Sequence, residues 1–134
     1  MVQFNINLNE VSFKPPLPDG EYTFAIIKAE LQQARNANKR SGQREWYVHC
    51  ELKPMEPEWN TYVVFHNWNL SRAAIEVEDP AISIKKLYEI MGEVPESSID
   101  LNTFLSFRFI GNTGLEEYNG RPNPKLRRVI KKVE

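Results

Sequence analysis

The segment Glu45 to Lys53, Glu-Trp-Tyr-Val-His-Cys-Glu-Leu-Lys, alternates with a period of two. Trp46, Val48, Cys50 and Leu52 fall on one side of an extended chain, and Tyr47, His49 and Glu51 on the other. An α-helix would scatter the first set around its circumference, whereas a β-strand gathers it on one face. The segment therefore reads as a strand with Trp46, Val48, Cys50 and Leu52 in the core. A strand needs hydrogen-bonding partners, and the rest of the chain supplies them.

Upstream, Asp19-Gly20 signals a turn, and Glu21 to Leu31 follows as a long strand rich in β-branched and aromatic residues. Tyr22, Phe24 and Ile26 lie on one face, with Ala25, Ile27, Ala29 and Leu31 on the other. Apolar groups on both faces suit a strand that curves through a barrel and is covered on both sides for part of its length. Gln32 to Arg44 is polar and basic, and reads as a long, mobile hairpin loop. After Pro54 and Pro57, Asn60 to Leu70 reads as a third strand. Periodicity leaves open whether Tyr62, Val64, His66, Trp68 and Leu70 point inward or Val63, Phe65, Asn67 and Asn69 do.

A helix comes next, with Asp79 as N-cap, Pro80 at its first position and Gly92 as terminator. Ile84, Leu87, Tyr88 and Met91 form its buried face. Val94 to Asn102 reads as a turn, with a short helical piece around Leu101–Leu105. Ser106 to Ile110 is a fourth strand and Lys125 to Val133 a fifth, separated by the glycine-, asparagine- and proline-rich stretch Gly111 to Pro124. In the fifth strand Leu126, Arg128, Ile130 and Lys132 oppose Lys125, Arg127, Val129, Lys131 and Val133. At the start, Phe4, Ile6 and Leu8 alternate before Pro15-Pro16 and Pro18. That segment suits an edge strand, an arm pairing with a neighbouring subunit, or a disordered arm; oligomeric state is not readable.

Three strands, a helix and two strands, with no internal repeat or linker, predict a mainly β protein. The expected architecture is a five-stranded OB-fold-like antiparallel barrel with one α-helix between strands 3 and 4. It forms a single domain over residues 1–134, with residues 1–17 as an N-terminal extension or edge strand. The length of 134 residues suits one domain and is short for two. One cysteine, Cys50, precludes an internal disulfide and reads as a small buried hydrophobe; with only His49 and His66 besides, a metal site is not expected. Without a membrane-length apolar run or a signal-peptide layout, a cytoplasmic protein is expected.

Net charge is only −1, but it is segregated. Gln32 to Arg44 carries Arg35, Lys39, Arg40 and Arg44 and no acid, and Arg121 to Glu134 carries Arg121, Lys125, Arg127, Arg128, Lys131 and Lys132 against one acid. Between Glu56 and Asp100 the balance reverses. Segregation of this kind either lines a solvated surface or presents a positive face to a polyanion.

Several short runs occur in a telling order: Pro18-Asp-Gly-Glu-Tyr, Val64-Phe-His-Asn-Trp-Asn-Leu70, Ile84-Lys-Lys-Leu87 leading to Gly92, Asp100-Leu-Asn-Thr-Phe-Leu105 and Tyr118-Asn-Gly-Arg-Pro-Asn123. Together they resemble a family of phage-encoded single-stranded-DNA-binding proteins from replication and recombination modules, similar in plan to OB-folds. The resemblance covers roughly residues 18–133 and implies a non-catalytic binder that protects single strands, with phage or host replication and recombination proteins as partners. The familiar bacterial single-strand binders end in an acidic recruiting tail. This chain ends basic, so recruitment by that route is not expected.

Binding single strands without reading sequence takes a positive groove for phosphates and aromatic faces for bases. OB-folds use strands 2 and 3, between the first hairpin loop and the loop joining strands 4 and 5. The phosphate candidates are Arg35, Lys39, Arg40 and Arg44 in the first loop, with Arg121, Lys125 and Arg127 near the second. Tyr47 is the favoured stacking residue, with His49 beside it. Phe65 and Trp68 compete for a role on strand 3, Tyr118 is placed to clamp a base, and Trp59 is either a surface contact or a local staple. Nucleophile elbows, phosphate loops and His-Glu-x-x-His pairs are absent, so no enzyme and no cofactor are expected. Glu76-Val-Glu78-Asp79 or Glu116-Glu117 as a magnesium nuclease site is the catalytic alternative. The binding alternatives are an RNA ligand and a protein-interaction module of a replication or recombination complex.

Overall fold

The apolar stretch that opens the sequence's β pattern becomes β1, Gly20–Gln33, the central strand of one antiparallel sheet. Around it stand β2 (Trp46–Pro54), β3 (Val64–Asn69), β4 (Arg108–Tyr118) and β5 (Arg121–Lys132), in the order β3-β2-β1-β4-β5. The computed structural model describes residues 2–10, 14–93 and 99–133. The protein is thus mainly β, with a five-stranded antiparallel sheet and a few short helices. The edge strands β3 and β5 come within 8 Å of each other, Cα to Cα, with no hydrogen-bonded ladder between them among the described residues.

Both faces of β1 look apolar because the strand changes phase. Ile26 pairs with Leu52 and Lys28 with Glu51, which leaves Ile27 as an extra residue. Before this bulge Tyr22, Phe24 and Ile26 are buried; after it Ala29 sits opposite buried Cys50 and Leu31 opposite buried Val48. A bulge thus switches which residues face the core, a common way to bend a strand, and Ala25, on the face opposite Phe24 and Ile26, is buried too, so the strand is covered on both sides there. Phase changes also govern β5. Pairing shifts leave Arg127 and Ile130 as extra residues, so Leu126 and Val129, expected on opposite faces, are both fully buried.

β2 keeps its rhythm: Val48, Cys50 and Leu52 are fully buried. Trp46, expected in the core, is 47% exposed, because it begins the strand beyond the edge of the core. On β3, Val64, His66 and Trp68 point inward, while Phe65 and Asn67 are exposed. The stretch 111–124, expected as a connection, is mostly strand. β4 runs to Tyr118 and reverses through Asn119 (φ 51°) and Gly120 (φ 76°) straight into β5. Two consecutive positive φ values make the tight hairpin turn that Asn-Gly favours. Pro122 and Pro124 lie in β5, where an edge strand tolerates a missing N–H.

The helix expected between Asp79 and Gly92 begins later, as α2 (Ile84–Met91), and is preceded by a separate α1 (Arg72–Ile75); the short helical piece expected around Leu101–Leu105 is α3 (Leu101–Leu105). Asp79 caps only a 3-10 turn, Pro80–Ile82. Ser83 then caps α2, its hydroxyl accepting from the Lys86 N–H, and Gly92 at φ 71° ends it. Ile84, Leu87, Tyr88 and Met91 are all buried, as their spacing required. The predicted turn at 94–98 lies outside the described residues.

Among the described residues before β1 no edge strand forms. Phe4, Ile6 and Leu8 are 85%, 64% and 73% exposed, and only Leu8–Glu10 takes a 3-10 turn. Residues 14–18 instead join the body: Leu17 is fully buried, Tyr62 donates to the Pro15 carbonyl at 2.7 Å, and the Lys14 ammonium sits 3.8 Å from the Tyr62 ring centre. Among the described residues no helix is long and apolar enough to cross a membrane.

Candidate functional site

Because β2 alternates, each core residue sends a neighbour outward, and pairing with β1 and β3 arranges these into rows. Lys28, Glu51 and Phe65 form one row; Glu30, His49 and Asn67 the next; Gln32, Tyr47 and Asn69 the third. Residues directly opposite on adjacent strands share a face and touch. His49 and Phe65, diagonal neighbours, stack with ring centres 5.6 Å apart and planes 20° apart. His49 Nδ1 meets Asn67 Oδ1 at 2.7 Å, and the Tyr47 hydroxyl donates to Gln32 Oε1 at 3.0 Å. Phe65 is 57% exposed, so the stack is an open aromatic platform. At the β1 end Lys28 is held between Glu30 (3.3 Å) and Glu51 (3.5 Å), which cancels its charge toward any anion.

Beyond Phe65 the surface dips into a groove of about 610 Å³ between β3 and the β4–β5 hairpin. Its β3 side presents His49, Phe65, Asn67 and Asn69, with Glu78 and Asp79 at one end; its far side presents Asn123, Lys125 and Arg127. A second hollow of about 490 Å³ shares Asn69 and Glu78 with it and continues past Tyr47 to Asn36 and Asn38 of the first loop. The two make one trough across the outer β2–β3 face, from the second hairpin to the first.

Of the residues predicted for binding, Tyr47, His49, Phe65, Lys125 and Arg127 meet in this trough. Lys125 pairs with Glu116 at 3.2 Å, and Arg127 donates to the Leu115 carbonyl at 3.4 Å. Trp68 is a correction. It is fully buried, edge-on to His66 at 4.2 Å, because β3 turns its even-numbered side chains into the core. Arg35, Lys39, Arg40 and Arg44 are exposed on the first loop but do not line the trough. Arg40 instead reaches α1, donating to the Ala73 carbonyl at 3.3 Å and pairing with Glu76 at 3.5 Å, and Arg44 Nε donates to the Ala34 carbonyl at 2.8 Å. Arg121 lines a separate groove with Lys14, Tyr62 and Pro122. Tyr118, 69% exposed, stands at the hairpin tip opposite Arg121. Trp59 packs against the core edge-on to Tyr22, which makes it a staple.

Three groups at the site escaped the sequence reading. Asn67 and Asn69 share the face of Phe65, and that alternation was their visible signal. The sequence offers Glu78 only as a metal-binding acid. Its Oε2 accepts from Asn69 Nδ2 at 2.9 Å, and burial pushes its carboxyl above the usual range. The other acids once grouped with it have structural partners: Glu76 with Arg72 at 2.7 Å, and Asp79 with the Ala81 N–H at 2.9 Å. His66 lines the groove floor but is buried. Its Nε2 lies 3.0 Å from the Ile82 carbonyl, and burial pushes its pKa down to about 4.

No protein-family model matches the chain, and no curated protein matches it. The functional reading therefore rests on the trough.

Proposed function

We propose that this protein is an OB-type, non-catalytic binder of single-stranded nucleic acid, with DNA as its ligand, serving a phage replication or recombination complex. The observation that carries the reading is the trough itself. It joins an open aromatic platform, His49 and Phe65, to cations on the opposite wall, Lys125 and Arg127. Bases stack on such a platform at about 1–3 kcal/mol each, while phosphates release counterions on meeting the cations. A single strand satisfies both walls at once. A duplex hides its base faces and cannot use the platform.

The strand order supports the OB-type reading. It leaves β3 and β5 as the edges, and these approach each other as the closing strands of a small barrel would. In that plan ligand lies on the outer β2–β3 face between two hairpins, where the trough runs. The phage context comes from the sequence resemblance alone.

The test is Phe65→Ala against wild type, titrated into a labelled mixed-sequence oligonucleotide. The side chain is more than half exposed, so the thermal transition should hardly move, while affinity should fall by about 1–3 kcal/mol. Unchanged affinity would place the ligand elsewhere.

A further inference from the structure

The two walls of the trough differ in hydrogen-bonding sense. The β5 side carries the donors Lys125 and Arg127, with Asn123 and with Glu116, which pairs with Lys125 at 3.2 Å. The side where β3 ends carries two carboxylates, Glu78 and Asp79, beside Asn69. Asn69 gives one of its two amide N–H groups to Glu78 Oε2 at 2.9 Å, and its side-chain carbonyl oxygen stands beside that contact as a further acceptor. Glu78 Oε1 is sheltered from water and has no hydrogen-bond partner. Asp79 uses one oxygen on the Ala81 N–H and is otherwise exposed at the groove end. A sheltered acceptor without a donor is an unfavourable state that an incoming N–H relieves.

Resting on the single-strand reading, we propose that Glu78, with Asn69 and Asp79, reads the edge of a bound base and selects bases that carry an exocyclic amino group over thymine. The backbone of the strand lies toward Lys125 and Arg127, the base face lies on the His49–Phe65 platform, and the base edge points at the acceptor wall. Cytosine offers that wall an amino group, a contact carboxylates are suited to make. Thymine offers one N–H flanked by two carbonyl oxygens, which meet the carboxylates with repulsion. Binding is thus biased by composition although it spells no fixed sequence.

The test compares labelled homopolymers of deoxycytidine and thymidine, of equal length and at one salt concentration, on wild type and Glu78→Gln. The glutamine keeps a carbonyl for Asn69 and replaces the unpartnered acceptor with a donor. The readout is the ratio of the two affinities, because removing a negative charge tightens both. Wild type should favour the cytidine strand roughly tenfold, and Glu78→Gln should bring the ratio to within about threefold. If Glu78→Gln fails to show a cooperative thermal transition, Asp79→Asn, which still caps the turn, takes its place with the same expectation. Equal affinities on wild type, or a full preference retained in the variant, would overturn the inference and leave the single-strand reading standing. No binding of either strand to wild type would overturn the single-strand reading, and this inference with it.

Discussion

His66 shows how one buried side chain ties the stability of this protein to pH. It is 7% exposed, with its Nε2 against the Ile82 carbonyl. Burial is the main cause of its lowered pKa of about 4, and the positive charge of Lys125 adds to it. A base that titrates lower when folded than its unfolded value of about 6.5 binds fewer protons in the native state between those two values. Its contribution is therefore fully present above pH ~6.5 and lost as pH falls toward 4, a difference of about 3 kcal/mol. Glu78 opposes this trend, since an acid with a raised folded pKa favours the folded state as pH falls through its titration. Denaturant unfolding of wild type and His66→Leu between pH 7.5 and 4.5 isolates the histidine. The variant should be less stable at neutral pH, having orphaned the Ile82 carbonyl, and should lack most of the acid-side loss. Gly111 is a second sensitive residue, for steric reasons. A Cβ there would lie 2.8 Å from Leu126 Cδ1 and 3.2 Å from the Arg128 carbonyl oxygen, so Gly111→Ala should cost about 1–3 kcal/mol in the same assay. Cys50 should resist thiol reagents until the protein unfolds, because burial removes access and pushes its pKa up to about 12.

At the scale of elements, short-range signals were legible and phase changes were not. The alternation of β2 from Val48 onward and the spacing of Ile84, Leu87, Tyr88 and Met91 predicted burial correctly, because each depends only on a local period. The bulges at Ile27, Arg127 and Ile130 are set by pairing with another strand, and nothing in their own neighbourhood announces them. Asn119-Gly120 was a readable hairpin signal masked by the prolines and glycines around it. That reversal decided the site: with β4 and β5 drawn together from Tyr118 and Arg121 onward, Lys125 and Arg127 stand across a groove from Phe65. Tyr47 and His49 were legible as outward residues, whereas neither Phe65 nor Trp68 was assignable until the inward face of β3 was known. Ser83 shows how small the decisive local signal can be. Its hydroxyl starts α2 by accepting from Lys86 N at 3.1 Å and also donates to the Pro80 carbonyl at 2.9 Å. Ser83→Ala should lower stability by about 1 kcal/mol in denaturant unfolding.

For the molecule as a whole, a net charge of −1 rules out a diffuse polycation, and what matters is where charge is left uncancelled. The Lys28 cluster with Glu30 and Glu51, the Arg40–Glu76 pair and the Lys125–Glu116 pair each cancel charge locally. On the β5 wall Arg127, which donates to the Leu115 carbonyl, has no ion-pair partner among the described residues and keeps its pull on an anion. Arg127→Ala should therefore flatten the dependence of log affinity on log salt by about 0.7, the share of one phosphate contact on a single strand. The central claim is tested most directly by titrating wild type into a labelled mixed-sequence single strand, beside the matching duplex and the matching RNA, at low and moderate salt. Salt-weakened binding of the DNA strand, well above that of the duplex and at least equal to that of the RNA, is the predicted result. Failure to bind the single strand even at low salt, or equal binding to the duplex, would contradict the account.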